Sequence, residues 1–356
     1  MDETNYILPA EWYPQSAIQL TWPHEGTDWK PYLEEITNTY IQLAKVITSR
    51  ERLVVATQDP DIVKQQLMRA LSKKAFRRVS FCQCPIDDTW ARDHGTLTLL
   101  PFTHSYRKCS EAGAQAISLK FRFNGWGGKF PAENDNNIAF HLYEEGHLTN
   151  QLEDHSDFEL EGGAIESDGR GTIMTTTQCQ MLRNQPRTQQ EIEDELKRRL
   201  HANRVIWIDH GHLIGDDTDG HIDTIVRMAP HGAMLYTYCD DPNDEHFADF
   251  QALEQQMKTL RRADGYPYRL HRLPLPDAIY ETDGHRLPAT YANFLVANRG
   301  VIVPTYNQPA KDDEALRVIS AAFPNYKIIP IDARTIIRQH GSIHCLTMHF
   351  PRGTAK

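Results

Sequence analysis

The run AMLYTY at residues 233–238 decides the fold, because a helical stretch and a second apolar run follow it directly. Residues 243–263 place apolar side chains three and four positions apart, the spacing of one helix face: Phe247, Phe250, Leu253, Met257 and Leu260. The run YRLHRL at 268–273 then predicts a second strand. This succession predicts an α/β unit whose helix packs on a sheet.

The same unit recurs along the chain. Further helices are predicted at 28–49, 189–200 and 311–322, with flanking strands at 18–21, 53–56, 171–177, 205–208, 301–303 and 327–329. A fifth, less regular unit begins at 96–100, continues through 117–123 and includes a short helix near 136–143. No linker rich in Pro, Gly or Ser separates the units. We therefore predict one domain, residues 1–356, built from about five strand–helix–strand units.

Charge and cysteine usage limit the class of protein. The 356 residues include 38 basic and 48 acidic side chains, a net charge of −10. Nucleic-acid binding needs clustered Lys and Arg, so this balance argues against it and is compatible with a small cationic partner. The cysteines are scattered, which predicts a reduced, cytoplasmic protein: Cys82, Cys84, Cys109, Cys179, Cys239 and Cys345.

Targeting signals are not evident. The first residues show no basic and apolar pattern of a signal peptide, and no apolar run approaches the roughly 20 residues of a membrane helix. We expect no membrane partner. A homo-oligomer is possible, and the sequence does not decide it.

Two distant segments carry a nucleophile and a base. Cys345 lies in GSIHCLTMH (341–349), and His221 and Asp223 lie in DTDGHID (217–223). An imidazole can activate a thiol for attack on carbon. On an extended segment, His221 and Asp223 point the same way and can enter one pocket. A single cysteine is more often a core residue, so the other segments matter.

Three more segments add acidic and aromatic groups. Trp90 and Asp93 lie in DDTWARDHG (87–95), and Trp126 lies among glycines in FNGWGGK (123–129). Glu161 precedes a pair of glycines, which permits a close approach of the backbone to a ligand. We predict that Trp90 and Trp126 contact a cationic substrate, since aromatic faces attract cations.

Together these segments resemble the agmatine deiminase family, which includes the Porphyromonas-type peptidylarginine deiminases. The resemblance rests on TWARD (89–93), FNGWGGK (123–129), EGG (161–163), DGHID (219–223) and IHCLT (343–347). LPAEW (8–12), TWPH (21–24) and YANF (291–294) are similar to it as well, so it covers about residues 8 to 351. It implies the pentein fold, a five-bladed pseudo-symmetric α/β propeller.

The resemblance also implies roles. Cys345 matches the nucleophile, His221 the general acid and base, and Glu161 the carboxylate that partners the histidine. Asp93 and Asp223 match the aspartates that hold the guanidinium, and Asp217 matches a further acidic substrate contact. The chain departs from the agmatine-type pattern at 338–342, where a run of glycines is usual, and at 164–167. These departures leave the tail of the substrate open.

The predicted reaction is hydrolysis of agmatine to N-carbamoylputrescine and ammonia through an amidino-cysteine, a step in putrescine and polyamine biosynthesis. Glu161 is expected to keep the pKa of His221 high enough for proton donation. Carboxylates disfavour the thiolate and a bound cation favours it, so we hypothesise that substrate binding helps to ionise Cys345. No metal and no organic cofactor is required.

Alternatives remain at this point. The same chemistry on peptidyl-arginine or free arginine gives citrulline. A metal-dependent hydrolase would use a dense donor set: His210, His212, Asp216, Asp217, His221 and Asp223. A polyamine-binding protein would use the acids without turnover. The Cys82 and Cys84 pair is predicted to be structural rather than metal-binding.

Overall fold

The structure is a computed structural model, and it describes residues 6–102 and 115–356. Cys109 lies outside the described residues. The strands in the described part are β1 Tyr6–Ile7, β2 Gln15–Thr21, β3 Arg52–Thr57, β4 Val79–Gln83, β5 Leu97–Pro101, β6 Ile117–Arg122, β7 Gln151–Glu159, β8 Ile165–Ser167, β9 Thr172–Thr176, β10 Arg204–Ile208, β11 Val226–Ala229, β12 Ala233–Tyr238, β13 Arg269–Pro274, β14 Leu295–Ala297, β15 Gly300–Thr305, β16 Lys327–Asp332 and β17 Thr347–Pro351.

The helices follow the same chain order. They are α1 Leu33–Thr48, α2 Pro60–Ala70, α3 Lys73–Phe76, α4 Ala91–His94, α5 Gly125–Gly128, α6 Ile138–Glu144, α7 Thr177–Arg183, α8 Gln189–Leu200, α9 Phe247–Thr259 and α10 Pro309–Ala322. Short 3-10 helices lie at Lys30–Tyr32, Asp135–Asn137, Gly162–Ala164, Ile222–Thr224, Pro230–Gly232 and Ile336–Gln339. None of the described helices is both long and apolar enough to cross a membrane.

The described strands form five sheets with one repeated plan. The sheet orders are β1-β5-β6-β7, β10-β9-β8, β11-β12-β13, β14-β15-β16 and β17-β2-β3-β4. In every sheet one strand pairs antiparallel with one neighbour and parallel with another: β6, β9, β12, β15 and β2. The α/β class is therefore confirmed. The fifth sheet joins both ends of the chain, because β17 pairs with β2.

The regular helices match their predictions closely, and the ends differ for local reasons. Helix α8 spans the predicted residues, and its start is fixed by a capping box between Thr188 and Glu191. Helix α1 begins at Leu33 because Pro31 lies in a preceding 3-10 turn. Helix α9 ends at Thr259, since Leu260 is already extended.

In each sheet, one strand is preceded by a loop segment that carries a polar side chain. Helix α4 precedes β5, the 3-10 turn after Glu161 precedes β8, and the 3-10 turn after His221 precedes β11. Asn293 lies just before β14, and Cys345 lies just before β17. The repeated plan thus delivers one polar segment from each of the five sheets to the same place.

Candidate active site

Cys345 is buried, and its surroundings favour the neutral thiol. Its Sγ lies 3.4 Å from Asn293 Oδ1, to which it donates a hydrogen bond, and 3.9 Å from Asp223 Oδ2. Asn293 Oδ1 also accepts from the backbone N–H groups of Cys345 at 3.2 Å and His344 at 2.9 Å. Burial, followed by the charges of Asp223 and Asp93, raises the pKa of the Cys345 thiol well above its usual value.

Gly163 marks the point where the three other predicted groups meet. A Cβ at this position would lie 2.6 Å from His221 Nδ1, 2.8 Å from Asp93 Oδ1 and 3.1 Å from Asp223 Oδ2. Only a residue without a side chain fits there. Through Asp223, these contacts also limit the distance from the Cys345 sulfur to His221 and Asp93 to less than a nanometre. The predicted residues therefore converge in space.

The segment that carries His221 is not extended as predicted. Ile222–Thr224 form a 3-10 turn, and the Thr224 hydroxyl donates to the His221 carbonyl. His221 and Asp223 nevertheless both reach Gly163, because one side chain lies before the turn and the other within it. The prediction that His221 and Asp223 lie close together is confirmed, and the prediction of an extended segment is wrong.

His221 lies between two carboxylates without a hydrogen bond to either. Its Nδ1 is 3.7 Å from Asp93 Oδ1 and its Nε2 is 3.9 Å from Glu161 Oε2. Among the described residues, both ring nitrogens and Glu161 Oε2 are buried without a hydrogen-bond partner. Nδ1 faces the side of Asp93 and Asp223, and the Cys345 sulfur lies 3.9 Å from Asp223 Oδ2 on that side.

The expectation that Glu161 keeps the pKa of His221 high is wrong for the free protein. Burial lowers the pKa of His221 to about 3. Glu161 Oε1 already accepts from Arg183 Nε at 2.5 Å, so the charge of Glu161 is compensated and the Arg183 cation disfavours an imidazolium nearby. The resting site thus holds a neutral imidazole and a neutral thiol.

Asp93 is held by two donors. Trp126 Nε1 donates to Asp93 Oδ2 at 3.0 Å, and the backbone N–H of Gly163 donates to Oδ1 at 3.2 Å. The backbone of α5 is left-handed at all four positions, which turns Trp126 (φ 54°) toward Asp93. Burial and the charges of Asp223 and Glu161 raise the pKa of Asp93 well above its usual value. A cation between these carboxylates would relieve that repulsion.

Asp223 has one occupied oxygen and one free oxygen. His344 Nδ1 lies 2.7 Å from Asp223 Oδ2, while Asp223 Oδ1 is buried without a partner. Burial raises the pKa of Asp223, but the hydrogen bond and charge of His344 outweigh it and hold this pKa below its usual value. Asp223 is therefore an ionised carboxylate with one oxygen available to a ligand.

A cavity of about 120 Å³ reaches this group of residues. Its lining includes Trp90, Asp93, Trp126, Asp217 and Cys345. Trp90 packs edge to face on Trp126, with ring centroids 6.4 Å apart, and its Nε1 donates to Asp88 Oδ2 at 2.9 Å. Four of the five predicted substrate contacts therefore share one cavity with the predicted nucleophile, whereas Asp223 is not among the lining residues. A larger cavity, of about 1630 Å³, lies elsewhere and includes none of these residues.

The predicted metal-ligand set does not assemble. Among residues 6–102 and 115–356, two groups of three bring possible ligand atoms within 4.8 Å of one another: Cys82, Glu145 and His147, and Glu161, Cys179 and His221. Of the six predicted ligands only His221 belongs to either group. Asp216 instead accepts from Thr218 Oγ1 and from the Gly220 N–H, and His210 lies 3.3 Å from Asp249. The predicted structural role of Cys82 and Cys84 stays a prediction.

Four residues of the site were not singled out. Asn293 lies in the quoted YANF segment and His344 in IHCLT, so the motifs contained both. Glu11 lies in LPAEW, and its contact with His344 joins residues far apart in the chain. Arg183 carried no sequence signal, because a helix-end arginine is usually exposed and this one is buried.

The chain matches known proteins over nearly its whole length. Residues 7–351 match the Porphyromonas-type peptidyl-arginine deiminase family. The chain is similar to a Porphyromonas gingivalis protein of known structure, provisionally described as an arginine deiminase, with 42% identity and a TM-score of 0.89 over 99% of this chain and 100% of that one. It is similar to a cysteine-to-serine variant of C. jejuni agmatine deiminase with substrate bound, with 32% identity and a TM-score of 0.88 over 99% and 98% of the chains. The agmatine deiminase of Stutzerimonas stutzeri is 28% identical over 98% of this chain and 96% of its own.

Proposed function

The chain belongs to the Porphyromonas-type peptidyl-arginine deiminase family, and we propose that it hydrolyses agmatine to N-carbamoylputrescine and ammonia, a proposal supported by its similarity to agmatine deiminases. It is a hydrolase of the carbon–nitrogen bond of a linear amidine. The reaction passes through a covalent amidino-cysteine at Cys345 and uses no metal or organic cofactor. This activity would serve putrescine and polyamine synthesis.

One observation carries the proposal. Four polar atoms at the centre of the site are buried and have no hydrogen-bond partner in the part of the chain that the structure describes: His221 Nδ1, His221 Nε2, Glu161 Oε2 and Asp223 Oδ1. Such atoms cost about 1–3 kcal/mol each when they stay unpaired. A flat guanidinium has N–H donors along its edges, so it can pair with Asp223 Oδ1 and with the Asp93 carboxylate. The site is therefore built for a planar cation.

The first half-reaction begins with a neutral thiol at Cys345 and a neutral imidazole at His221. A guanidinium held between Asp93 and Asp223 adds a positive charge next to the sulfur and lowers the pKa of Cys345. The thiol proton passes to His221, and the thiolate attacks the guanidinium carbon. His221 then protonates the departing nitrogen, which leaves as ammonia. The remaining amidino group is bonded to the sulfur of Cys345.

The second half-reaction regenerates the free enzyme. His221 is neutral again and removes a proton from water, which attacks the same carbon. The carbon–sulfur bond breaks, the ureido product leaves, and the sulfur regains a proton. Glu161 orients the imidazole through Nε2, and Arg183 fixes Glu161. Because the substrate is a guanidinium cation and the ureido product is neutral, the overall change consumes one water and releases ammonia and one proton, together one ammonium ion.

The cavity lining favours agmatine over free arginine. Besides Asp93, the lining contains the carboxylates of Asp28, Asp88 and Asp217. The described residues that line it include no Lys and no Arg. Agmatine ends in an ammonium, which these carboxylates attract, whereas free arginine also carries a carboxylate that they repel.

Deimination of arginine is the second candidate. It is favoured by the family description and by the 42% identity to the P. gingivalis protein. Against a peptide substrate stands the narrow cavity, since Cys345 is buried and only about 120 Å³ are free beside the lining residues. A polyamine-binding protein is disfavoured, because binding alone has no use for a thiol and an imidazole.

The arrangement of the five sheets supports a proposal about the overall fold. The five sheets share one plan, and the last closes the chain onto its start. We infer that they are the blades of one five-bladed propeller in a single domain, with the site at the centre where the five segments meet.

The test is a side-by-side assay of ureido product and ammonia with agmatine, free arginine and an arginine-containing peptide. Agmatine is expected to give the highest kcat/KM. If arginine or the peptide is preferred, the substrate assignment is wrong and the chemistry stands. If no guanidine compound gives a ureido product, the proposed function is wrong.

Intact-protein mass measurement tests the covalent step. Wild-type protein quenched with acid during turnover of agmatine is expected to carry the amidino group on Cys345. Cys345→Ala is the control and should show the free mass only, and His221→Gln should form the adduct slowly or not at all, because His221 serves both half-reactions. The absence of any adduct in wild-type protein quenched within the first turnover would contradict the covalent route.

A further inference from the structure

A second buried group of charges lies behind Asp223. It contains three carboxylates and three basic side chains: Glu11, Glu166, Asp223, Arg92, Arg227 and His344. Each of the six has a side chain that is at most 9% exposed. Arg227 is at its centre and pairs with Glu11 through Nη2 and with Glu166 through Nε. We call these six residues the support cluster.

His344 is the member that joins the support cluster to the reaction site. Its Nδ1 lies 2.7 Å from Asp223 Oδ2, and its Nε2 lies 2.8 Å from Glu11 Oε2. A neutral imidazole carries one N–H and can donate to only one of two carboxylates. Two short contacts to carboxylate oxygens therefore require a proton on each ring nitrogen.

Charge balance leads to the same result. With all three carboxylates ionised, the cluster holds three negative charges, and Arg92 and Arg227 supply two positive charges. Burial raises the pKa of Glu166, and the charges of Arg227 and His344 oppose that shift. An imidazolium at His344 makes the buried cluster neutral, whereas a neutral His344 leaves an uncompensated charge, which is costly inside a protein. Burial raises the pKa of Glu11, but His344 and Arg227 outweigh it and hold this pKa well below its usual value.

One contact opposes this assignment. Arg227 Nη2 lies 3.1 Å from His344 Nε2, which would suit a neutral nitrogen that accepts. The same Nη2 already donates to Glu11 Oε2. A neutral Nε2 would then face the Glu11 oxygen at 2.8 Å, two acceptors in contact, which is the less favourable arrangement.

Among the described residues, no other imidazole nearby competes for the charge. His221 and His349 are the other described histidines beside the cluster, and burial lowers the pKa of each to about 3. Arg92 faces the backbone of His344, where its Nε donates to the carbonyl oxygen at 3.4 Å. The groups that face the His344 ring are thus Asp223, Glu11 and Arg227.

We propose that His344 is a positioning residue: as an imidazolium held between Glu11 and Asp223, it keeps Asp223 ionised and turns its free Oδ1 toward the guanidinium. This role rests on the proposed function only in naming the guanidinium as the ligand of Oδ1. The proposal also assigns a role to Glu11 in the LPAEW segment, because its carboxylate accepts the second N–H of the His344 ring.

The first test needs no activity. Protein labelled with ¹⁵N-histidine is titrated by NMR, and the His344 signals are assigned by their loss in His344→Asn. Both ring nitrogens of His344 are expected to be protonated at neutral pH, and one is expected to lose its proton in Glu11→Gln. A neutral His344 in the wild-type protein would overturn the proposal whether or not agmatine is a substrate.

The second test is the pH profile of kcat/KM with agmatine. Glu11→Gln is expected to raise KM about tenfold, the usual scale for removing a group that orients a ligand-contacting residue. It is also expected to move the acid limb to higher pH, because Asp223 loses the cation that keeps it ionised. A purely structural role would lower the amount of folded protein and leave the acid limb in place.

Glu166→Gln is the matched control. It removes the same charge from the same cluster, but Glu166 contacts Arg227 and the Met228 N–H and does not contact His344. Its acid limb is expected to move less than that of Glu11→Gln, because Glu166 acts on His344 through space only and makes no hydrogen bond to it. An equal shift in Glu11→Gln and Glu166→Gln would overturn the proposal, since it would show a general charge effect.

Discussion

The two buried polar groups on either side of Asp223 differ in how far they are satisfied. On the reaction side, His221 has no hydrogen bond at either ring nitrogen, and Glu161 leaves one oxygen unpaired. On the support side, both ring nitrogens of His344 contact carboxylate oxygens. The three nitrogens of the Arg227 guanidinium donate to carboxylates or to backbone carbonyl oxygens. Both regions are equally shielded from water.

The difference shows where a ligand is missing. Buried polar atoms are almost always paired within the protein, so a group of unpaired ones needs a cause. The support cluster is paired more fully, although Arg92 Nη2 and Asp223 Oδ1 are buried without a partner among the described residues. We attribute the unpaired Asp223 Oδ1, which lies on the side of Cys345, to a substrate that supplies the absent donor.

Removal of the nucleophile should have the largest effect. Cys345→Ala is expected to reduce kcat by about 10⁴-fold or more, because the covalent route is lost. Binding of agmatine, measured by calorimetry, should persist. Cys239→Ser is the control: this buried thiol contacts the Asp241 carbonyl, away from the site, and should keep full activity. Full activity in Cys345→Ala would refute the nucleophile assignment.

Filling the junction should have the next largest effect. Gly163→Ala places a methyl group against His221, Asp93 and Asp223, and displacements of this size cost about 10²-fold in kcat/KM. Gly146→Ala is a control in open space and should leave kcat/KM unchanged. A folded Gly163→Ala protein with wild-type activity would show that the three groups need not meet at this point.

The free site should hold a protonated thiol at neutral pH. Burial and two carboxylates raise the pKa of Cys345, so thiolate absorbance should appear only at high pH. A non-reactive guanidinium compound is expected to lower this pKa by about one unit or more, since it places a cation beside the sulfur. Cys345→Ala gives the background from the other thiols. A pKa that does not change on binding would contradict substrate-assisted ionisation.

Loss of one donor to Asp93 should have a moderate effect. Trp126→Phe removes a hydrogen bond to a buried carboxylate, and its loss is expected to raise KM about tenfold. Because that bond lowers the pKa of Asp93, its removal should also move the acid limb of kcat/KM to higher pH. Trp90→Phe is the control for the acid limb, since Trp90 donates to Asp88. If the acid limb of kcat/KM does not move in Trp126→Phe, the hydrogen bond from Trp126 does not control the pKa of Asp93.

The cavity mouth should give the smallest effect. The Asp217 side chain is 40% exposed, so its attraction for the agmatine ammonium is screened by solvent. Asp217→Asn is expected to raise KM for agmatine about threefold. Free arginine is the internal control, and its KM should not rise. A rise for both substrates would assign Asp217 to the guanidinium end instead of the tail.

The comparison also separates what was predictable. The residues of the reaction side lie in short, distinctive segments, and Cys345, His221, Glu161, Asp93 and Asp223 were all predicted from them. The support cluster was missed because its partners are distant in the chain: Glu11 and His344 are 333 positions apart. The pKa of His221 was predicted in the wrong direction, since the sequence shows neither the burial of the imidazole, which is the main cause of the lowered pKa, nor the position of Arg183 beside Glu161.

The sequence by itself determined the α/β repeat and the kinds of group available for chemistry. Hydrophobic periodicity and residue type are local properties, and they are readable without a fold. The tertiary structure alone decided which groups are paired and which are left unpaired. That distinction depends on burial and on contacts between the five sheets, because solvation and Coulomb forces act through space and not along the chain.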